Sequence, residues 1–201
     1  MGINMKLIKD ISIESNFSFD EEKKIDSWQA FCETESILMT YYDVRLSDLS
    51  KLNEISRESI KNWITKKNKS MIFFGGVGCG KTHCSLALLR WAYENVNKWV
   101  RYLTAEKLLH EGREHGPDYL RKKYGECPFL IIDDLGVEKP PAWETQYLFA
   151  VCDERIGRGN QTIITTNLDQ NALEIMYTKR PFSRLQADWV KFNDIDRREI
   201  Q

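Results

Sequence analysis

The spacing of apolar and polar positions changes repeatedly along this chain, and each change marks an element. Met71-Ile72-Phe73-Phe74 is four apolar residues in a row, as expected of a strand buried on both faces. Thr82 to about Tyr93 then carries apolar residues at helical intervals. Trp99–Leu103 predicts a second strand, Ala105 to about His110 a helix, Gly112 to Pro117 a loop, and Tyr119–Tyr124 a short basic helix. Phe129-Leu130-Ile131-Ile132 is a third, fully apolar strand. Trp143–Ile156 predicts a helix with Trp143, Tyr147, Leu148 and Val151 on one stripe, stopped by Gly157 and Gly159. Thr162–Thr166 is a β-branched strand, and Trp189–Phe192 predicts a last one. Such alternation of β and α predicts an α/β fold, a parallel sheet sandwiched by helices.

Upstream the pattern is weaker. Residues 1–19 show no clear period. Asp20 to about Cys32 predicts a helix capped by Asp20, with Ile25, Trp28 and Phe31 on one face. A second helix is expected from Ser47 or Asp48 to Ile64, followed by the polar turn Lys66-Lys67-Asn68-Lys69-Ser70. The expected organisation is a helical N-terminal segment over 1–45, a linker helix and turn over 46–70, and the α/β domain over 71–201. Trp28, Trp63, Trp91 and Trp143 sit on apolar stripes and are expected in the core or an interface.

The chemistry is concentrated in a few motifs. Gly75-Gly76-Val77-Gly78-Cys79-Gly80-Lys81-Thr82 fits the phosphate-binding loop at every fixed position, between a strand and a helix. Its backbone N–H groups and the helix N-terminus can cradle phosphates. Lys81 is expected to reach the β- and γ-phosphates, and Thr82 to hold Mg²⁺. ATP and Mg²⁺ are therefore the expected ligands. His83 follows directly and is counted with the nucleotide-binding run, as a packing residue rather than a base. The apolar strand at 129–132 ends in two carboxylates about 50 residues later, the usual order in such sites. Asp133 is expected to hold the metal, and Asp134 to orient or deprotonate the attacking water. Asn167, at the end of strand 162–166, is the candidate sensor of the γ-phosphate. Arginines Arg155, Arg180, Arg184, Arg197 and Arg198 are candidates to offset transition-state charge.

Composition narrows the function classes. The chain has 201 residues, 42% hydrophobic, with a formal net charge of −1, so no global field announces nucleic acid. Residues 1–40 carry a balance of −4, which leaves the remainder mildly basic. Five cysteines without C-x-x-C pairing and three scattered histidines suggest neither disulfides nor zinc. No run is long and apolar enough for a membrane span, and no signal peptide is apparent, so a cytosolic protein is expected. Lys66, Lys67, Lys69 and Arg121-Lys122-Lys123, with Tyr119 and Tyr124 alongside, can form a single-strand track. With so little net charge, a solvated helix face is the preferred reading.

With these pieces in order the chain resembles the AAA+ ATPases of the DnaC/DnaI helicase-loader and IstB transposition-helper family. The resemblance rests on Gly75 through His83, Ile132-Asp133-Asp134-Leu135-Gly136, the helix 143–155, Thr162 through Leu168, and Ser183-Arg184-Leu185. It covers roughly residues 60–198. It implies a P-loop NTPase fold of AAA+/ASCE type without a helical lid, ATP hydrolysis, and self-assembly with Arg184 acting in trans. It also implies a second-sensor role for Arg197. The implied partners are a hexameric replicative helicase and single-stranded DNA, or a transposase on duplex DNA. Lys179-Arg180-Pro181 departs from the family's pattern ahead of the finger, which leaves Arg180 and Arg184 both open. The alternative in a different class is a nucleotide-switched adaptor without significant turnover.

Overall fold

The computed structural model describes residues 19–52, 54–65, 70–96, 99–137, 139–177 and 179–192. Five strands, β1 (Met71–Phe74), β2 (Val100–Thr104), β3 (Phe129–Leu135), β4 (Gln161–Thr166) and β5 (Asp188–Lys191), form one sheet in the order β2-β3-β4-β1-β5. Every pairing is parallel, with Met71 opposite Ile163 and Ile131 opposite both Tyr102 and Ile163. Side chains alternate between faces along each strand. Met71, Phe73, Ile131 and Ile163 therefore join one apolar cluster, while Ile72, Leu130, Ile132 and Ile164 join the other. This is why β1 and the first four residues of β3 read as unbroken apolar runs.

The first face is covered by α1 (Phe19–Glu35), α2 (Glu54–Thr65) and α3 (Lys81–Asn95), which contribute Trp28, Trp63 and Leu88 to its cluster. The second is covered by α4 (Ala105–His115), α5 (Pro117–Leu120), α6 (Thr145–Arg158), α7 (Gln170–Tyr177) and α8 (Arg180–Leu185). Residues ahead of the sheet share the core of the first face. The Trp28 indole donates to the Tyr42 carbonyl at 3.1 Å. Arg90 of α3 lies over the Trp28 ring and donates to the carbonyls of Tyr42 at 2.8 Å and Val44 at 3.2 Å.

Several elements differ from the sequence expectation. The first helix runs from Phe19 to Glu35, so Asp20 lies inside it rather than capping it. The helix expected from 47 or 48 to 64 is divided. A 3-10 turn, Leu46–Lys51, is followed by an extended Leu52, and α2 starts at Glu54. The Asp48 carboxylate accepts the Arg45 N–H at 3.0 Å, a local bond that closes a tight turn in competition with helix.

Gly112 lies within α4, not in a loop. A Cβ there would meet the Tyr147 ring at 2.5 Å, so this glycine serves the close crossing of α4 and α6 rather than a turn. The basic stretch becomes α5 and a π-type turn, Arg121–Gly125. Trp143 falls in a 3-10 turn behind Pro140 and Pro141 and is 56% exposed. It therefore lies off the buried stripe of α6, which begins at Thr145 and continues through Gly157. The turn 66–69 and residues 1–18 lie outside the described residues.

Candidate nucleotide-binding site

The loop Gly75–Gly80 joins β1 to α3 at the carboxyl end of the sheet. Gly80 is the N-cap of α3 with φ 96°, a left-handed conformation that a side chain would strain. It lets α3 begin within the loop, which puts the helix's first free N–H groups where such groups can hold an anion. Val77 is exposed at the loop's tip, while Cys79 is buried and donates its thiol to the Gly76 carbonyl at 3.0 Å.

Lys81 is 5% exposed. Its ammonium donates to the carbonyls of Gly75 at 2.9 Å and Gly76 at 2.6 Å, and to Asn167 Oδ1 at 2.8 Å. Thus the sensor candidate at the end of β4 meets the phosphate-loop lysine, 86 residues apart in sequence. The next residue reaches the other strand. Thr82 Oγ1 donates to Asp133 Oδ1 at 3.0 Å. A hydroxyl and a carboxylate side by side at the mouth of the loop are hard oxygen donors, a set that fits Mg²⁺.

Asp133 is buried, and burial pushes its carboxyl above the usual range. The Thr165, Tyr102 and Thr82 hydroxyls oppose that shift by hydrogen-bonding the charged form, while Asp134 adds to it. Tyr102 Oη donates to Oδ2 at 2.9 Å, and the Thr165 hydroxyl donates to Oδ1. Asp134, by contrast, is exposed. The β3–β4 pairing is irregular between Ile132 and Leu135, and Asp134 sits there with φ 58°. This bulge turns adjacent carboxylates in different directions: Asp133 inward, Asp134 outward. The Asp134 N–H donates to Thr165 Oγ1 at 2.9 Å, which ties the bulge to the strand that carries Asn167.

Other candidates lie apart from this cluster. His83 Nε2 pairs with Asp48 Oδ2 at 2.9 Å and its ring meets the edge of Tyr41, so it anchors the 3-10 turn ahead of α2. Arg184 pairs with Asp153 of α6 at 2.6 Å on the exposed surface of α8. Arg155 is not a phosphate ligand. Its guanidinium is fully buried and donates to Thr162 Oγ1 at 2.7 Å and to the carbonyls of Tyr124 at 2.6 Å, Cys127 at 2.8 Å and Gln161. The Arg180 side chain, Arg197 and Arg198 lie outside what is described. Pro181 opens α8 at its first turn instead of breaking it.

The basic stretch is largely neutralised. Lys123 pairs with Glu111 at 2.9 Å, and Arg121 pairs with Asp118. Among the described residues no helix is long and apolar enough to cross a membrane, and no cluster of metal-binding side chains of zinc type occurs.

Tyr102 and Thr165 join the site although in the sequence each reads only as part of a strand. The available signal was a polar-tipped residue inside an otherwise apolar strand, at the carboxyl end where ligands bind.

The model of the family described as IstB-like ATP-binding protein matches residues 36–179, well over half of the chain. The chain belongs to the IstB-like ATP-binding protein family. This family member is similar to the replicative helicase loader DnaC of Buchnera aphidicola subsp. Baizongia pistaciae, 24% identical over 162 residues, 76% of this chain and 65% of the relative. It is also similar to the chromosomal replication initiator protein DnaA of Nautilia profundicola, 28% identical over 109 residues, 51% of this chain and 24% of the relative. The chain thus spans less than two thirds of either relative. Among solved structures a DnaC helicase loader superposes with a TM-score of 0.62 at 23% identity, over 77% of this chain and 99% of that one. The fold is the P-loop, AAA+-type parallel sheet.

Proposed function

We propose that the chain is an ATP-hydrolysing AAA+ helicase loader that acts in DNA replication, delivering a hexameric replicative helicase to single-stranded DNA. The observation that carries the ATPase half is the convergence of Lys81, Thr82, Asp133 and Asn167 from three elements at one end of the sheet. In this reading Gly75 to Thr82 cradle the phosphates of ATP and Lys81 moves its ammonium from the loop carbonyls to them. Thr82 and Asp133 hold Mg²⁺, whose charge stabilises the phosphoryl group in transfer. Asp134, exposed beside them, orients the attacking water, and Asn167 senses the γ-phosphate. Arg184, from a neighbouring subunit, or Arg180 supplies the charge in trans. The likeness to a relative named as a helicase loader supports the partner. Residues 1–45 grip the helicase, Arg197 is the second-sensor residue, and the protein works in the cytosol.

The test is an affinity capture from host lysate with ATP and Mg²⁺, using Lys81→Ala as control. Recovery of the replicative helicase, weakened by the substitution, is expected. Absence of helicase overturns the loader reading while leaving the ATPase intact. The family match favours a second reading, a transposition-helper ATPase on duplex DNA. Turnover that grows with duplex length, in a protein with no affinity for helicase, would select it. A nucleotide-switched adaptor is separated by Asp134→Ala: an unchanged turnover rate would argue for it.

A further inference from the structure

The metal-holding carboxylate is braced from the N-terminal side of the molecule. Among the described residues β2 is an edge strand, with part of its backbone facing no other strand. Glu35, the last residue of α1, fills one such place: its buried carboxylate accepts the Tyr102 N–H at 3.1 Å and Arg101 Nη1 at 2.7 Å. The side chain of the same Tyr102 crosses to the neighbouring strand and donates to Asp133 Oδ2. Thr82 and Thr165 occupy the other carboxylate oxygen, Oδ1. Three hydroxyl donors thereby satisfy both carboxylate oxygens and hold the group in one rotamer.

The geometry points to Tyr102 as a positioning residue for the metal-holding Asp133, itself set in place by Glu35 at the end of α1. Resting on the ATPase reading above, this assigns a physical route from α1 to the metal site. A shift of the end of α1 releases the Tyr102 backbone, and the phenol can then no longer hold Oδ2 in place. Mg²⁺ loses an oriented ligand, while the loop's own grip on phosphate is untouched.

The experiment titrates Mg²⁺ into the full chain bound to a fluorescent ATP analogue, and repeats the binding in EDTA. For Tyr102→Phe, which keeps the ring and removes the donor, the Mg²⁺ concentration giving half of the metal-dependent gain in affinity rises about tenfold. Affinity in EDTA stays within about twofold, since loop and lysine are intact. Glu35→Gln moves the same midpoint in the same direction by a smaller factor, and the double substitution adds little beyond Tyr102→Phe. Thermal midpoints of all three report whether they fold. A wild-type Mg²⁺ response in Tyr102→Phe overturns the assignment, as does an equal loss of affinity with and without metal. Strict additivity of the two substitutions removes Glu35 from the route. If the unsubstituted chain binds no nucleotide under either condition, the ATPase reading itself fails and takes this one with it.

Discussion

At the scale of single residues, burial separates structural roles from chemical ones. Arg155 offers the clearest case. A sequence reader sees an arginine before the sensor strand and thinks of phosphate; the fold makes it a fully buried tie. Burial lowers its proton affinity, and its neighbours compensate only in part. Arg155→Met is expected to cost about 3 kcal/mol or more, because several buried acceptors lose their donor at once. Chemical denaturation measures it, and Met should leave nucleotide affinity at the loop little changed in whatever protein remains folded.

The cysteines give a second residue-scale prediction. All five are buried. Burial pushes the thiols of Cys32 and Cys152 up to about 12 from an ordinary 9.0. A thiol-specific reagent at neutral pH should therefore titrate none in the folded protein and all five after denaturation. The sign of the pH effect follows. Above about pH 9 the unfolded chain releases protons that the folded chain retains, so stability falls as pH rises through that range. A denaturation midpoint that stays flat between pH 8 and 10.5 would contradict it.

At the scale of elements, β1, β3 and β4 were readable because they are buried on both faces and so carry long apolar or β-branched runs. Helix ends were less so. Gly112 shows why: as a sequence symbol it means a break, but in the fold it makes room for the Tyr147 ring. Gly112→Ala should destabilise the protein by roughly 2 kcal/mol by overpacking the α4–α6 crossing, seen as a lower thermal midpoint. Trp143 misled for the opposite reason, since its spacing matched a stripe that starts only after the 3-10 turn. The site was legible where a motif has fixed spacing, as at Gly75–Thr82 and Asp133. It was illegible where side chains from unrelated elements meet, as at Tyr102, Thr165 and Glu35, because no local pattern announces a contact 66 or 67 residues away.

At the scale of the whole molecule, the candidate finger and the phosphate loop occupy different parts of the surface. Arg184 is exposed and held by Asp153, while Lys81 is enclosed by its loop and Asn167. If hydrolysis needs both from different subunits, Arg184→Ala and Lys81→Ala proteins should each be inactive alone. Mixing them should restore part of the turnover, because mixed assemblies contain some intact interfaces. Full turnover by Arg184→Ala alone would end the in-trans assignment. The acidic balance of residues 1–40 and the mildly basic remainder also predict partner binding that weakens with salt at the N-terminal segment.

One tie described above reaches into how the chain finds its shape. Over Phe129–Ile132 and Thr162–Ile164 both strands are buried on both faces, so sliding one past the other by a residue would still set one buried run against another over that stretch. Hydrophobicity alone is thus nearly blind to their alignment. Arg155 is not. Its guanidinium finds Gln161, Thr162 and Cys127 only when the two strands begin side by side, with Phe129 opposite Gln161. A slipped sheet would leave a cation sealed in the interior without partners, several kcal/mol above the correct one. The arginine therefore joins the Thr165 bonds to Asp133 and Asp134 as a proofreader of strand alignment, acting against near-miss structures that apolar packing alone would accept.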